Sequence, residues 1–259
     1  MGIVNINDDS FSGDGTLDIT AAFEQAVKMV GEGADIIDIG AESARTNREA
    51  ISVEEEIGRL LPFLDRCQEF PAKIAVNTWR PQVAQAVLET GKVWMINDIG
   101  GLDTDANAKL CAEFGAVLLI MHTKGLPKEP HFEETYTDVW KDLDEFFDSK
   151  IELALSTGLS PDQIVLDPGI DFAKQCSDNL SIYRELESLT SRGYSVLLPV
   201  SRKTVIGDVL QLPDPSSRDA GTVACLVRGL RAGANIFRVH NVAAAAQASQ
   251  VITAIHSTS

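Results

Sequence analysis

The sequence predicts a (β/α)₈ TIM barrel folded as a single domain over residues 1–259. Three observations lead there. The chain has 259 residues, near the roughly 250 typical of such barrels. Short β-rich runs alternate with amphipathic helical stretches in eight successive pairs. Each predicted strand also leads into a polar residue, as expected where a barrel gathers its βα loops into a site.

The strands are expected at 1–6, 35–39, 73–77, 93–97, 116–120, 163–167, 195–200 and 235–239. Their apolar runs lack strict alternation, which suits parallel strands buried on both faces. Helices are expected near 17–32, 52–69, 81–90, 104–114, 134–158, 177–191, 217–232 and 242–256, with Ser52 and Ser177 as caps. Gly33, Gly91, Gly115, Gly193 and Gly233 punctuate five helix-to-strand turns, where a left-handed residue ends a helix cheaply. No Pro/Ser-rich linker or shift of composition divides the chain. An open doubly wound sheet is the alternative, but its first turn should be glycine-rich. Here that turn reads NDDSFSGDG, without GxGxxG.

Composition excludes several classes of partner. The net charge is −16, so the surface repels nucleic acid and anionic membranes, which require a dense positive footprint. No apolar run approaches the roughly 20 residues of a membrane span. The first residues lack a charged region followed by a long apolar one, so no signal peptide is expected. Cys67, Cys111, Cys176 and Cys225 are scattered, and read as buried or free thiols of a reducing, cytoplasmic setting.

The strand ends carry Asn5, Glu42 with Arg45, Asn77, Asn97 with Asp98, Met121 with His122, Asp167, Ser201-Arg202-Lys203, and Arg238 with His240. In an acidic chain, Arg45, Arg202, Lys203 and Arg238 together read as a local anion site of the type that clamps phosphate or carboxylate. Each residue also has a plain structural reading. A strand-end Asn or Asp caps a helix, Arg45 and Arg238 form surface ion pairs, and His240 is a hydrogen-bonded structural histidine. Asp98 and Glu42 are assigned to structure. The loops after strands 1 and 2 are long for βα connections, as for a lid or substrate clamp.

In order, MGIVNINDDSFSGDG, DIIDIGAESAR, VNTWRPQVAQAVL, MINDIGG, LLIMHTKGLPK, IVLDPGIDF, VSRKTVIG and FRVHNV resemble the signatures of dihydropteroate synthases, up to about residue 245. The resemblance implies a transferase of folate biosynthesis, usually a homodimer and a sulfonamide target. It joins 6-hydroxymethyl-7,8-dihydropterin pyrophosphate to p-aminobenzoate by dissociative substitution and uses Mg²⁺. It further implies that Asn77, Asn97, Asp167 and Lys203 bind the pterin, with Met121 lining its pocket. Asn5 would place Mg²⁺ on the pyrophosphate, and Arg45, Arg238 and His240 would hold that leaving group. Ser201 and Phe172 would frame the aminobenzoate.

Several positions depart from the pattern. Asn77 stands where the family has Asp in D-T-Y-K, and Asn7-Asp8 replaces Thr-Pro in the first loop. Ala44, Thr46 and Asn47 alter S-T-R-P-G, while Asp171-Phe172-Ala173-Lys174 replaces G-F-G-K and Asn241 an Asp. One reading is a working synthase with altered second-substrate loops and weak sulfonamide sensitivity. Another is a paralogue that binds pterin and has altered or lost the second-substrate chemistry. A methyltransferase moving a methyl group from methyltetrahydrofolate to a corrinoid shares the barrel, but needs no pyrophosphate clamp.

Overall fold

The computed structural model describes residues 1–7, 15–43, 49–125, 127–129 and 134–257. Eight parallel strands run in chain order: β1 (Gly2–Asn5), β2 (Ile36–Gly40), β3 (Lys73–Asn77), β4 (Val93–Asp98), β5 (Val117–Met121), β6 (Ile164–Asp167), β7 (Ser195–Pro199) and β8 (Ile236–Arg238). The ring closes where β8 meets β1: Ile3 N donates to Val239 O at 3.2 Å and Val239 N to Met1 O at 3.0 Å. Every strand therefore has two neighbours and no sheet edge remains, which is the stability advantage of a barrel.

Helices α1 (Ile19–Gly31), α2 (Val53–Asp65), α3 (Pro81–Leu88), α4 (Ala106–Phe114), α5 (Val139–Ser156), α6 (Cys176–Arg184), α7 (Glu187–Thr190), α8 (Thr204–Leu210), α9 (Asp219–Arg231) and α10 (Val242–Ser257) cover the outside. Ser52 caps α2 as expected, accepting from Glu55 N at 3.1 Å. Ser177 does not cap: it lies inside α6, whose N-cap is Gln175. The helix expected at 177–191 is two, α6 and α7, and α8 was not anticipated. All five punctuating glycines have positive φ; Gly115, at 69°, is the C-cap of α4. Among the described residues no helix is long and apolar enough to cross a membrane.

Period-two alternation divides the strands between two separate cores. Ile37, Ile39, Ile74, Val76, Ile96, Leu118, Ile120 and Leu166 pack outward against the helices. Ile36, Ala75, Met95, Val117, Leu119, Val165 and Leu197 fill the lumen. The lumen set continues by parity to the C-terminal strand ends, where it becomes polar: Asp38, Asn77, Asn97, Asp167 and Arg238. Buried apolar layers below thus hold a polar layer above.

Candidate active site

Asp38, fully buried, organises one side of this layer. Its Oδ2 accepts from Arg238 Nε at 2.7 Å and from Asn97 Nδ2 at 3.0 Å. Asn97 has thereby used its donor side, and its buried Oδ1 has no partner in the protein. The neighbouring Asn77, paired with Asn97 in register, likewise has a partnerless buried Oδ1. Such orphaned acceptors cost roughly 1–3 kcal/mol each unless something donates to them. A ligand edge rich in N–H groups would do so.

Asp167 supplies the anionic acceptor. It is buried and accepts from Gly169 N at 2.7 Å. Burial raises its pKa to about 6, opposed by that backbone bond and by Lys203, Lys174 and Arg238. Gly169 is required beside it: φ is +67°, and a Cβ would stand 1.9 Å from His122 O. Behind this turn, buried Lys174 donates to His122 Nδ1 at 2.7 Å, Phe172 O at 3.1 Å and His122 O at 3.3 Å. Three acceptors match the three donors of an ammonium. Burial lowers the Lys174 pKa to about 7, and Asp167 opposes the shift. With Nδ1 accepting, His122 carries its proton on Nε2 and donates it to Asp142 at 2.9 Å. Burial, with Lys174 beside it, pulls the imidazole pKa down to about 3, so His122 is neutral.

Beside this turn, after β7, Lys203 donates to Ile170 O at 2.8 Å, and its ammonium lies 4.9 Å from the Phe172 ring centre. Burial lowers its pKa while Asp171 and Asp167 hold it up. The turn carrying Lys203 is gripped from beneath by buried Arg218, which donates to Arg202 O at 3.1 Å and Lys203 O at 3.2 Å. Ser201 ties β7 to β8: its hydroxyl accepts from His240 N at 3.0 Å and lies 2.7 Å from His240 Nδ1. Met121, 1% exposed and in register with Asp167, belongs to the lumen cluster, with Phe172 packed against that cluster.

The three predicted strand-end cations among the described residues do not all turn to the lumen. Lys203 and Arg238 serve the rim. Arg202 instead makes a two-pronged bond to Asp219 of α9, at 2.7 and 3.2 Å, a geometry that satisfies its charge away from the lumen. Arg45, with Ala44, Thr46 and Asn47, lies outside the described residues. Asp98 is structural: it accepts from Gly100 N and Asn107 Nδ2, both at 2.8 Å. Glu42 pairs with Arg80 at 2.8 Å, and Arg80 also reaches Glu56 at 2.6 Å, joining the β2 and β3 loops to α2. Asn5 ends β1 in register with Gly40.

Asp38, Lys174 and Arg218 shape the site although the strand-end pattern does not point to them. For Asp38 a signal existed: a carboxylate inside the apolar run DIIDI, on the parity of the strand-end polar residues. Lys174 and Arg218 bind through loop carbonyls that no sequence pattern brings together.

Residues 1–240 match the family described as pterin binding enzyme. The chain is 38% identical over 258 residues to the dihydropteroate synthase of Synechocystis, covering 98% of this chain and 89% of that protein. It is also 38% identical to that of Bacillus subtilis, over 98% of this chain and 87% of the relative. The chain belongs to the dihydropteroate synthase family. Solved dihydropteroate synthases agree in fold. That of Clostridium difficile, determined in the presence of pteroic acid, superposes with a TM-score of 0.89 at 37% identity, covering 99% of this chain and 95% of that one. A Yersinia pestis dihydropteroate synthase in complex with a sulfonamide drug gives 0.93 at 32% identity, over 100% and 94%. The chain is a transferase of this family. Within the dihydropteroate synthase pattern, Asn77 keeps the buried strand-end position of the expected Asp, with an amide in place of a charge.

Proposed function

We propose that this chain, acting as one domain, condenses 6-hydroxymethyl-7,8-dihydropterin pyrophosphate with p-aminobenzoate, giving 7,8-dihydropteroate and pyrophosphate. The observation that carries this reading is the hydrogen-bonding character of the polar layer. It offers acceptors on Asn77, Asn97 and Asp167, with Lys203 as a cationic donor beside them. A pterin is the complement: an amidine-like donor edge for Asp167, further N–H groups for the asparagines, and a ring carbonyl for Lys203. Met121 forms the apolar floor. Phe172 and Ser201 frame the aminobenzoate.

The leaving pyrophosphate is assigned to Arg238, His240 and Arg45. Arg238 is bound to Asp38 through Nε, and a guanidinium carries four further N–H donors on its terminal nitrogens. Mg²⁺ fits the corner at the end of β1, where the donors are neutral oxygens: Asn5, and Asn7, whose buried Oδ1 has no partner in the protein. Hard oxygen ligands shared with waters and phosphate suit this ion, which when bound would neutralise charge on the leaving group. The methylene C–O bond breaks as pyrophosphate departs. The pterin ring spreads the resulting positive charge, the aniline nitrogen attacks, and the new C–N ammonium loses its proton. The protein supplies orientation and preorganised charge rather than a nucleophile.

A second reading, a paralogue that binds pterin without this condensation, draws on Asn77 and on Asp171 and Ala173 beside Phe172. Homodimerisation and a cytoplasmic setting are part of the proposal by analogy with the family. The deciding experiment is pyrophosphate release from the dihydropterin pyrophosphate with Mg²⁺, with and without p-aminobenzoate. Aminobenzoate-dependent release supports the synthase. Pterin binding without such release supports the paralogue.

A further inference from the structure

The loop between β6 and α6 holds Phe172 between two residues in a conformation that favours glycine: Asp171 at φ +67° and Ala173 at φ +49°. A non-glycine residue there is strained by about 1 kcal/mol or more, so its side chain must make compensating contacts. Asp171 does. Its carboxylate accepts from the backbone N–H of Thr204, from that of Val205 at 3.2 Å and from Asn179 Nδ2 at 3.2 Å. Its own N–H donates to Asn179 Oδ1 at 2.9 Å. One side chain thus joins the β6–α6 loop, helix α6 and the start of α8. The residues on either side of that junction are Phe172 and Lys203, whose ring and ammonium already face each other.

We propose that Asp171 is a positioning residue for the second substrate: it clamps the β6–α6 loop onto α8 and so sets the Phe172 ring against the Lys203 ammonium, whose own turn Arg218 holds separately. This rests on the assignment of Phe172 to the aminobenzoate. The carboxylate is directed at backbone amides and Asn179, so it acts through its neighbours.

Asp171→Gly removes the clamp in a residue that favours φ +67°, so the loop conformation stays accessible and folding is retained. In steady-state pyrophosphate release, this variant is expected to raise the KM for p-aminobenzoate about tenfold, with kcat and pterin affinity by calorimetry within about twofold. Asp171→Asn keeps an acceptor oxygen and tolerates the left-handed conformation, and should recover most of the KM. An unchanged KM in Asp171→Gly, an equal loss of pterin affinity, or no recovery in Asp171→Asn overturns the proposal. Amide hydrogen exchange separates the clamp from the activity. The Thr204 and Val205 amides should exchange faster in Asp171→Gly and not in Asp171→Asn. Unaltered protection in Asp171→Gly removes the clamp whether or not the chain turns over. Absence of aminobenzoate-dependent release in the unmodified protein instead removes the synthase reading, and leaves the exchange result to judge the clamp.

Discussion

Replacing Asp38 with Asn tests the polar layer most directly. The substitution keeps the shape and removes the charge from a fully buried carboxylate that accepts from Arg238 at 2.7 Å and Asn97 at 3.0 Å through one oxygen. The amide oxygen can still accept from both donors at that position, so what is lost is the charge: Arg238 loses its counter-ion. Removing one partner of a buried pair costs about 3–5 kcal/mol because the other charge is stranded. The Arg238 side chain is 23% exposed, so water recovers part of that charge and about 2–3 kcal/mol is the better figure. For a chain of this length that corresponds to a fall in Tm of about 5–10 °C. Calorimetric or urea unfolding measures it, provided the urea dependence is unchanged. Arg238→Met in the same background should restore part of the loss, because the stranded charge is gone. A Tm within about 2 °C of the parent, or a double variant whose losses simply add, would refute the Asp38–Arg238 pair as an organiser of the site.

Three other outcomes are expected. Asn77→Asp restores a carboxylate beside the developing methylene cation and should raise pyrophosphate release by about 10²-fold, from roughly 2–3 kcal/mol of added stabilisation; equal or slower turnover counts against the cation argument. Pterin affinity should be full above pH 7 and weaken as pH falls through about 6, where Asp167 takes up a proton, and Asp167→Asn should flatten the profile in calorimetry run from pH 5 to 8. Stability of the ligand-free protein should run the other way. The raised pKa values of Asp167 and Asp98, both about 6, favour the fold fully below about pH 4 and lose that contribution as pH rises through 6. Gly169→Ala forces a Cβ to within 1.9 Å of His122 O at φ +67°; a loss of roughly 3 kcal/mol or more is expected in urea unfolding, together with weaker pterin binding because Gly169 N holds Asp167. Wild-type stability in that variant would mean the β6 turn is not held as described.

The amino-acid sequence by itself determines the barrel and its strand ends, because both follow from local patterns. Apolar runs of four to six residues, alternating with amphipathic helices and closed by glycine turns, mark all eight strands within two residues of their bounds. Asn77, Asn97, Asp167 and Lys203 are legible because strand ends gather at one face in any parallel barrel. The partnership of those residues belongs to the tertiary structure alone. Asp38 and Arg238 are 200 positions apart, and nothing local indicates that their lumen parities meet. Arg202 and Lys203 are adjacent in sequence, yet one turns to Asp219 and the other to Ile170 O, a choice made by the left-handed turn at Arg202 (φ +56°) and by Arg218 beneath it. Charge pairing depends on distances across the closed ring, and those exist only once the eighth strand has met the first.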